Sequence, residues 1–114
     1  MIPLDIAFRH ADPSDFRVQL IRDQLEKLEN VFTRIVRCHV VVEGPPRHHQ
    51  HGAPYRVKVQ LNVPGTQLVV DHVSHSVLTA AIREAFRAMR RQLVTFSESL
   101  HEHRPAERVH EPTA

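Results

Sequence analysis

The sequence predicts an α+β domain with the element order β-α-β-β-β-α, a four-stranded mixed sheet carrying two helices on one face. Three observations lead there. Apolar residues alternate at period two in two stretches beside two further valine-rich ones bounded by turn residues, they recur at helical spacing in two others, and each helical stretch has one apolar stripe to bury. A long connection separates the first two strands and a Pro-Gly turn separates the last two, so the first pair is expected parallel and right-handed and the rest a meander.

The first strand is "PLDIAFR", with Leu4, Ile6 and Phe8 on one face and Asp5, Ala7 and Arg9 on the other. "ADPSD" then supplies a helix start, with Asp12 expected as cap, Pro13 at the first helical position and Asp15 near the positive end of the dipole. Leu20, Ile21, Leu25, Leu28, Val31 and Phe32 continue at helical spacing. "RCHVVVE", closed by Gly44-Pro45-Pro46, is the second strand, and "YRVKVQLNV" the third. In the third, Tyr55, Val57, Val59, Leu61 and Val63 oppose Arg56, Lys58, Gln60 and Asn62. One sheet face must therefore be apolar and the other polar. "VPGTQLVVDHV" turns at Pro64-Gly65 into the fourth strand. Ser74 or Ser76 is expected to cap the last helix, whose stripe runs from Leu78 through Ile82, Phe86, Met89, Leu93 and Phe96 to Leu100. One domain over residues 1–100 and a charged, flexible tail over 101–114 complete the expected organisation.

Length and composition narrow the function. The 114 residues suit one domain, and 41% hydrophobic with 25% charged residues is a folding composition. No stretch approaches the roughly 20 apolar residues of a membrane span, and the N-terminus has no basic and apolar leader pattern. A cytoplasmic location and no membrane partner are expected. The single cysteine, Cys38, lies in the apolar run "CHVVV" and is expected to be a buried structural thiol. No Gly-rich phosphate loop or Gly-x-Ser-x-Gly elbow is present, and Asp71 and His72, the one adjacent acid and imidazole, should point to opposite faces of a strand. No enzyme, no cofactor and no small-molecule substrate are expected.

Thirteen arginines against two lysines give a net charge of +2 from the side chain best suited to phosphate. Residues 1–50 balance seven basic against seven acidic groups, whereas residues 51–100 carry six against three. "IREAFRAMRRQL" concentrates Arg83, Arg87, Arg90 and Arg91 away from the apolar stripe, and Glu84 is the one acid between Arg83 and Val94. The usual i,i+4 neutralising partners are mostly missing, so a polyanion would relieve their mutual repulsion. Arg56 and Lys58 add charge on the third strand, and Lys27 and Arg34 at the end of the first helix and just beyond it. With five Phe, one Tyr and no Trp, contacts to the nucleic-acid backbone suit this chain better than base stacking. His48, His49 and His51 could bind zinc or nickel, but supporting ligands are lacking nearby and an exposed loop accounts for them more simply. His72, His75, His101 and His103 carry even less of a metal signal.

"LEKLENVFTRI", residues 25–35, and "AAIREAFRAMRRQL", residues 80–93, resemble the end of the first helix and the second helix of the ribosome hibernation-promoting factor and ribosome-associated inhibitor family. "YRVKVQL" resembles its third strand, and the likeness spans roughly residues 2–96 in one element order. The resemblance implies a fold similar to double-stranded-RNA-binding domains and a short-form factor that binds rRNA of the small ribosomal subunit and silences translation in non-growing cells. Position by position, Lys27, Arg34 and Arg91 match basic positions of the family pattern. Ala88 and Gln24 stand where lysines are usual, and "TFSESLHEH" replaces a lysine-rich run. The reading is a ribosome-binding factor using Arg83, Arg87, Arg90 and Arg91, assisted by Lys27, Arg34, Arg56 and Lys58. The alternative is a protein-interaction module on the same fold, and after it a histidine-loop metal binder. Oligomeric state has no signature in the sequence.

Overall fold

The computed structural model describes the backbone of residues 1–45 and 54–113, with side chains as far as residue 100. In chain order the elements are β1 (Leu4–Arg9), α1 (Asp15–Val31), β2 (Arg37–Glu43), β3 (Tyr55–Val63), β4 (Thr66–His75) and α2 (Leu78–Thr113). The strands lie in the order β1-β2-β3-β4. β1 and β2 are parallel, as a helical connection requires, while β3 runs antiparallel to both β2 and β4. This is the expected fold.

Alternation drives the sheet onto the helices. Cys38, Val40 and Val42 of β2, Val57, Val59, Leu61 and Val63 of β3, and Val70 and Val73 of β4 are buried together with Ile21, Leu25 and Leu28 of α1 and Ile82, Phe86, Met89 and Leu93 of α2. Both helices thus share one face of the sheet, and each large side chain contributes about 1.5–3 kcal/mol on full burial. Among the described residues no polar or charged side chain is buried. No helix among them is long and apolar enough to cross a membrane.

The local signals differ from expectation at three points. Ser14, with φ −144° and ψ 155°, caps α1 by accepting from the Arg17 amide at 3.1 Å. Asp12 is two residues too early for that bond, and its backbone carbonyl instead receives the Arg17 guanidinium. Pro13 therefore precedes the cap, and Asp15 takes the first helical position. At the start of α2 the capping bond comes from His75, whose Nδ1 accepts from the Val77 amide at 3.0 Å, rather than from Ser74 or Ser76. The Val77 carbonyl then accepts the first helical bond, from Ala81, at 3.0 Å. Third, the α2 backbone continues to Thr113, beyond Leu100, where the apolar stripe stops.

Two glycines are required by geometry. Val63 pairs with Thr66 across Pro64-Gly65, and Gly65 has φ +86°, the conformation a Pro-Gly turn demands at its second corner. Gly44 donates to the Arg9 carbonyl at 2.7 Å, and a Cβ there would lie 1.9 Å from the His10 carbonyl oxygen. His10 itself has φ 54°. The ends of β1 and β2 are clamped together at this corner.

Candidate nucleic-acid interface

The buried stripe of α2 fixes where its arginines go. Because Ile82, Phe86, Met89 and Leu93 are turned into the core, Arg83, Arg87, Arg90 and Arg91 stand on the outer surface, all exposed. The one ion pair among the described residues is Arg37 with Asp5 at 3.8 Å, both side chains 58% exposed. None of the four α2 arginines therefore has a described carboxylate within pairing distance. Ala88 is 6% exposed and adds nothing to this outer surface.

The four arginines nevertheless border two different environments. At about 100° per residue, Arg83 and Arg91 are about 80° apart around the helix. Arg83 lines the groove between α1 and α2 together with Lys27, and Asp23, Glu26 and Glu29 of α1 line the same groove. Three carboxylates that are distant in sequence thus share its groove, none of them within pairing distance. Arg91 instead borders a crevice between α2 and β4 lined by Leu68, Gln92, Thr95, Phe96 and Ser99, with no acid among them. Arg34 lies in the segment after α1 with its guanidinium carbon 5.4 Å from the centre of the Phe32 ring. That ring meets Phe96 of α2 edge-on at 5.5 Å, so a cation–π contact holds Arg34 where α1 ends beside the middle of α2. Lys27, Arg34 and the α2 arginines are all in the helical layer.

Arg56 and Lys58 are not. They belong to the residues of β3 that alternate with its buried valines, so they face away from the helices. Strand register shows what surrounds them. Arg9, Glu43 and Arg56 form one cross-strand row, and Ala7, Val41 and Lys58 form the next. Opposite Lys58 the ladder slips: Val59 pairs with Val70 but Val57 pairs with Val73, leaving both Asp71 and His72 across from one residue. Both are exposed, so the strict alternation assumed for this acid and imidazole fails at the bulge. The open face is a shallow groove of about 540 Å³ in which Arg9, Arg56 and Lys58 are interspersed with Glu43 and Asp71. Arg9 and Glu43 were absent from the candidate residues, although the alternation of β1 and β2 already placed them on this face.

Among the described residues the remaining candidates do not assemble a reactive centre. Cys38 is 0% exposed, and burial, with the Asp5 carboxylate adding to it, pushes its thiol up to about 12. It remains a protonated packing group at neutral pH. His48, His49 and His51 fall outside the described residues, as do the side chains of His101 and His103. Among the described residues no cluster of three metal-ligating side chains occurs.

Residues 4–101 match the family described as "Sigma 54 modulation protein / S30EA ribosomal protein". The chain belongs to this family. S30EA membership confirms the resemblance read from the helix ends and makes the chain one of a ribosome-associated group of factors. Two solved structures share the fold of this S30EA chain. The N-terminal domain of Protein Y from Thermus thermophilus has a TM-score of 0.71 at 20% identity, covering 84% of this chain and 99% of that one. A ribosomal subunit interface protein from Coxiella burnetii has a TM-score of 0.74 at 11% identity, covering 85% and 99%. A comparison with curated proteins finds no match.

Proposed function

We propose that this S30EA-family chain binds the small ribosomal subunit in the cytoplasm through rRNA phosphates and silences translation in non-growing or stressed cells by occupying a site rather than by chemistry. The observation that carries the reading is the helical face: Arg87, Arg90 and Arg91 are exposed, lack an ion pair among the described residues, and stand on a rigid helix anchored by a fully buried stripe. Unpaired cations held at fixed spacing lose little on meeting phosphate and release its counterions. Lys27 and Arg34 extend that face along α1, and Arg83 joins it at a site already partly offset by acids. Arg56 and Lys58 act as an auxiliary pair from the opposite face, on phosphates other than those held by the helices. A ribosomal subunit interface protein with the same fold supports the same setting.

Sucrose-gradient sedimentation with ribosomes tests it. The chain should travel with the small subunit at low salt and leave it steeply as salt rises, and translation in a cell-free extract should fall as the chain is added. A protein that stays at the top of the gradient at low salt refutes the proposal.

A further inference from the structure

The sheet has two outer strands, and they are unequal. β1 has 6 residues and β4 has 10. An outer strand of that length presents a row of backbone donors and acceptors to any extended chain, and folded proteins generally carry some device that blunts it. The tight turn pairs Val63 with Thr66, so along β4 Thr66, Leu68 and Val70 bond inward to β3 while Gln67 and Val69 turn their backbone groups outward. One of those outward acceptors is taken. Gln92 Nε2 of α2 donates to the Val69 carbonyl at 2.8 Å. Gln92 belongs to the helical layer, beside the crevice that Leu68, Arg91 and Phe96 line, so its side chain must come over the outer margin of the sheet to reach this carbonyl.

We propose that Gln92 closes a self-complementary strand edge, and that without its amide β4 pairs antiparallel with β4 of a second copy of this chain. The occupant follows from the side chains along the edge. A two-fold pair centred on Val69 sets Val69 beside Val69, Leu68 opposite Val70 on the core side, and Gln67 opposite Asp71 on the open side. Apolar meets apolar, amide meets carboxylate, and no like charges face each other. Val69, 37% exposed, is a large apolar side chain that such a pair would cover. In that register each Val69 amide would donate to the other copy's Val69 carbonyl, the acceptor that Gln92 occupies. The bulge after Val70 bends the strand and keeps the flat stretch short, so the pairing is weak and concentration-dependent.

Sedimentation velocity over a wide concentration range tests the edge. Gln92→Glu keeps the length and helix preference of the side chain but replaces the donor with a carboxylate; Gln92→Ala removes the reach altogether. The unsubstituted chain should remain monomeric, and both variants should self-associate about a hundredfold more tightly, because forming the pair displaces two Gln92 hydrogen bonds, one in each copy. Adding Val69→Lys to either should restore the monomer. Circular dichroism checks folding, and Gln92→Ala carries the comparison if Gln92→Glu unfolds. Monomeric behaviour of the folded variants at every concentration overturns the proposal, as does a dimer that survives Val69→Lys.

Discussion

The helical face and the open sheet face of this domain both carry exposed arginines, but they reach their charge in opposite ways. On α2 the cations come from one segment, repeat at helical spacing, and have Glu84 as the one acid between Arg83 and Val94. On the sheet each cross-strand row collects side chains from segments far apart in sequence, so Glu43 falls between Arg9 and Arg56, and Asp71 and His72 fall opposite Lys58. A single amphipathic helix can build an uncompensated patch simply by omitting acids from its outer side. A sheet face mixes its contributors through register, and its charge tends towards balance. The difference favours the helical layer as the principal surface for the proposed phosphate contacts.

The largest effect should come from breaking the corner that aligns the open face. Gly44→Ala places a methyl group 1.9 Å from the His10 carbonyl, where backbone rather than a flexible side chain must yield. A loss of about 2–3 kcal/mol is expected, seen in thermal melts as a drop of roughly 4–8 °C per kcal/mol. A melting temperature unchanged by this substitution would show that β1 and β2 can separate there without cost.

Next comes the helical face itself. Arg87→Ala, Arg90→Ala and Arg91→Ala together should lower the slope of log K against log salt for ribosome binding by roughly three, leaving the melt unchanged because all three side chains are exposed. The open-face pair Arg56→Ala and Lys58→Ala should lower the same slope by about one or less, since those charges stand on the other side of the sheet among acids. Equal slopes for the two sets would erase the distinction between the faces. The smallest effect is expected within α2: Arg83→Ala should weaken binding less than Arg91→Ala, because Asp23, Glu26 and Glu29 already offset Arg83. Single-substitution titrations at one salt concentration would rank them, and a larger loss at Arg83 would mean that the α1 acids do not screen it.

How much of this was legible depended on how far apart the contributing residues are. The period of "YRVKVQLNV" separates Arg56 and Lys58 from the buried valines without any coordinates, and "VPGT" specifies its turn because Pro sets one backbone angle and Gly permits the positive other. The cap of α1 was misplaced by two residues because Asp12 and Ser14 are both good capping residues, and the choice between them rests on which oxygen reaches Arg17. The opposite-face reading of Asp71 and His72 failed because a bulge depends on the partner strand, β3, and leaves no mark in the sequence of β4 alone.

The sequence by itself determined the layers of this protein: two stripes of period 3.6, two stretches of period two and two valine-rich stretches bounded by turn residues admit few other ways to bury the apolar side chains, and the family resemblance of the helix ends agrees with them. It also determined that α2 would present four arginines outward. Only the tertiary structure decided which charges become neighbours. It set Arg56 and Lys58 among Glu43 and Asp71, brought three α1 carboxylates into the groove that Arg83 lines, and put Gln92 on the Val69 carbonyl of an outer strand. The physical reason is range: periodicity follows from bonds and angles a few residues long, whereas electrostatic compensation and edge protection depend on groups that meet only when the core closes.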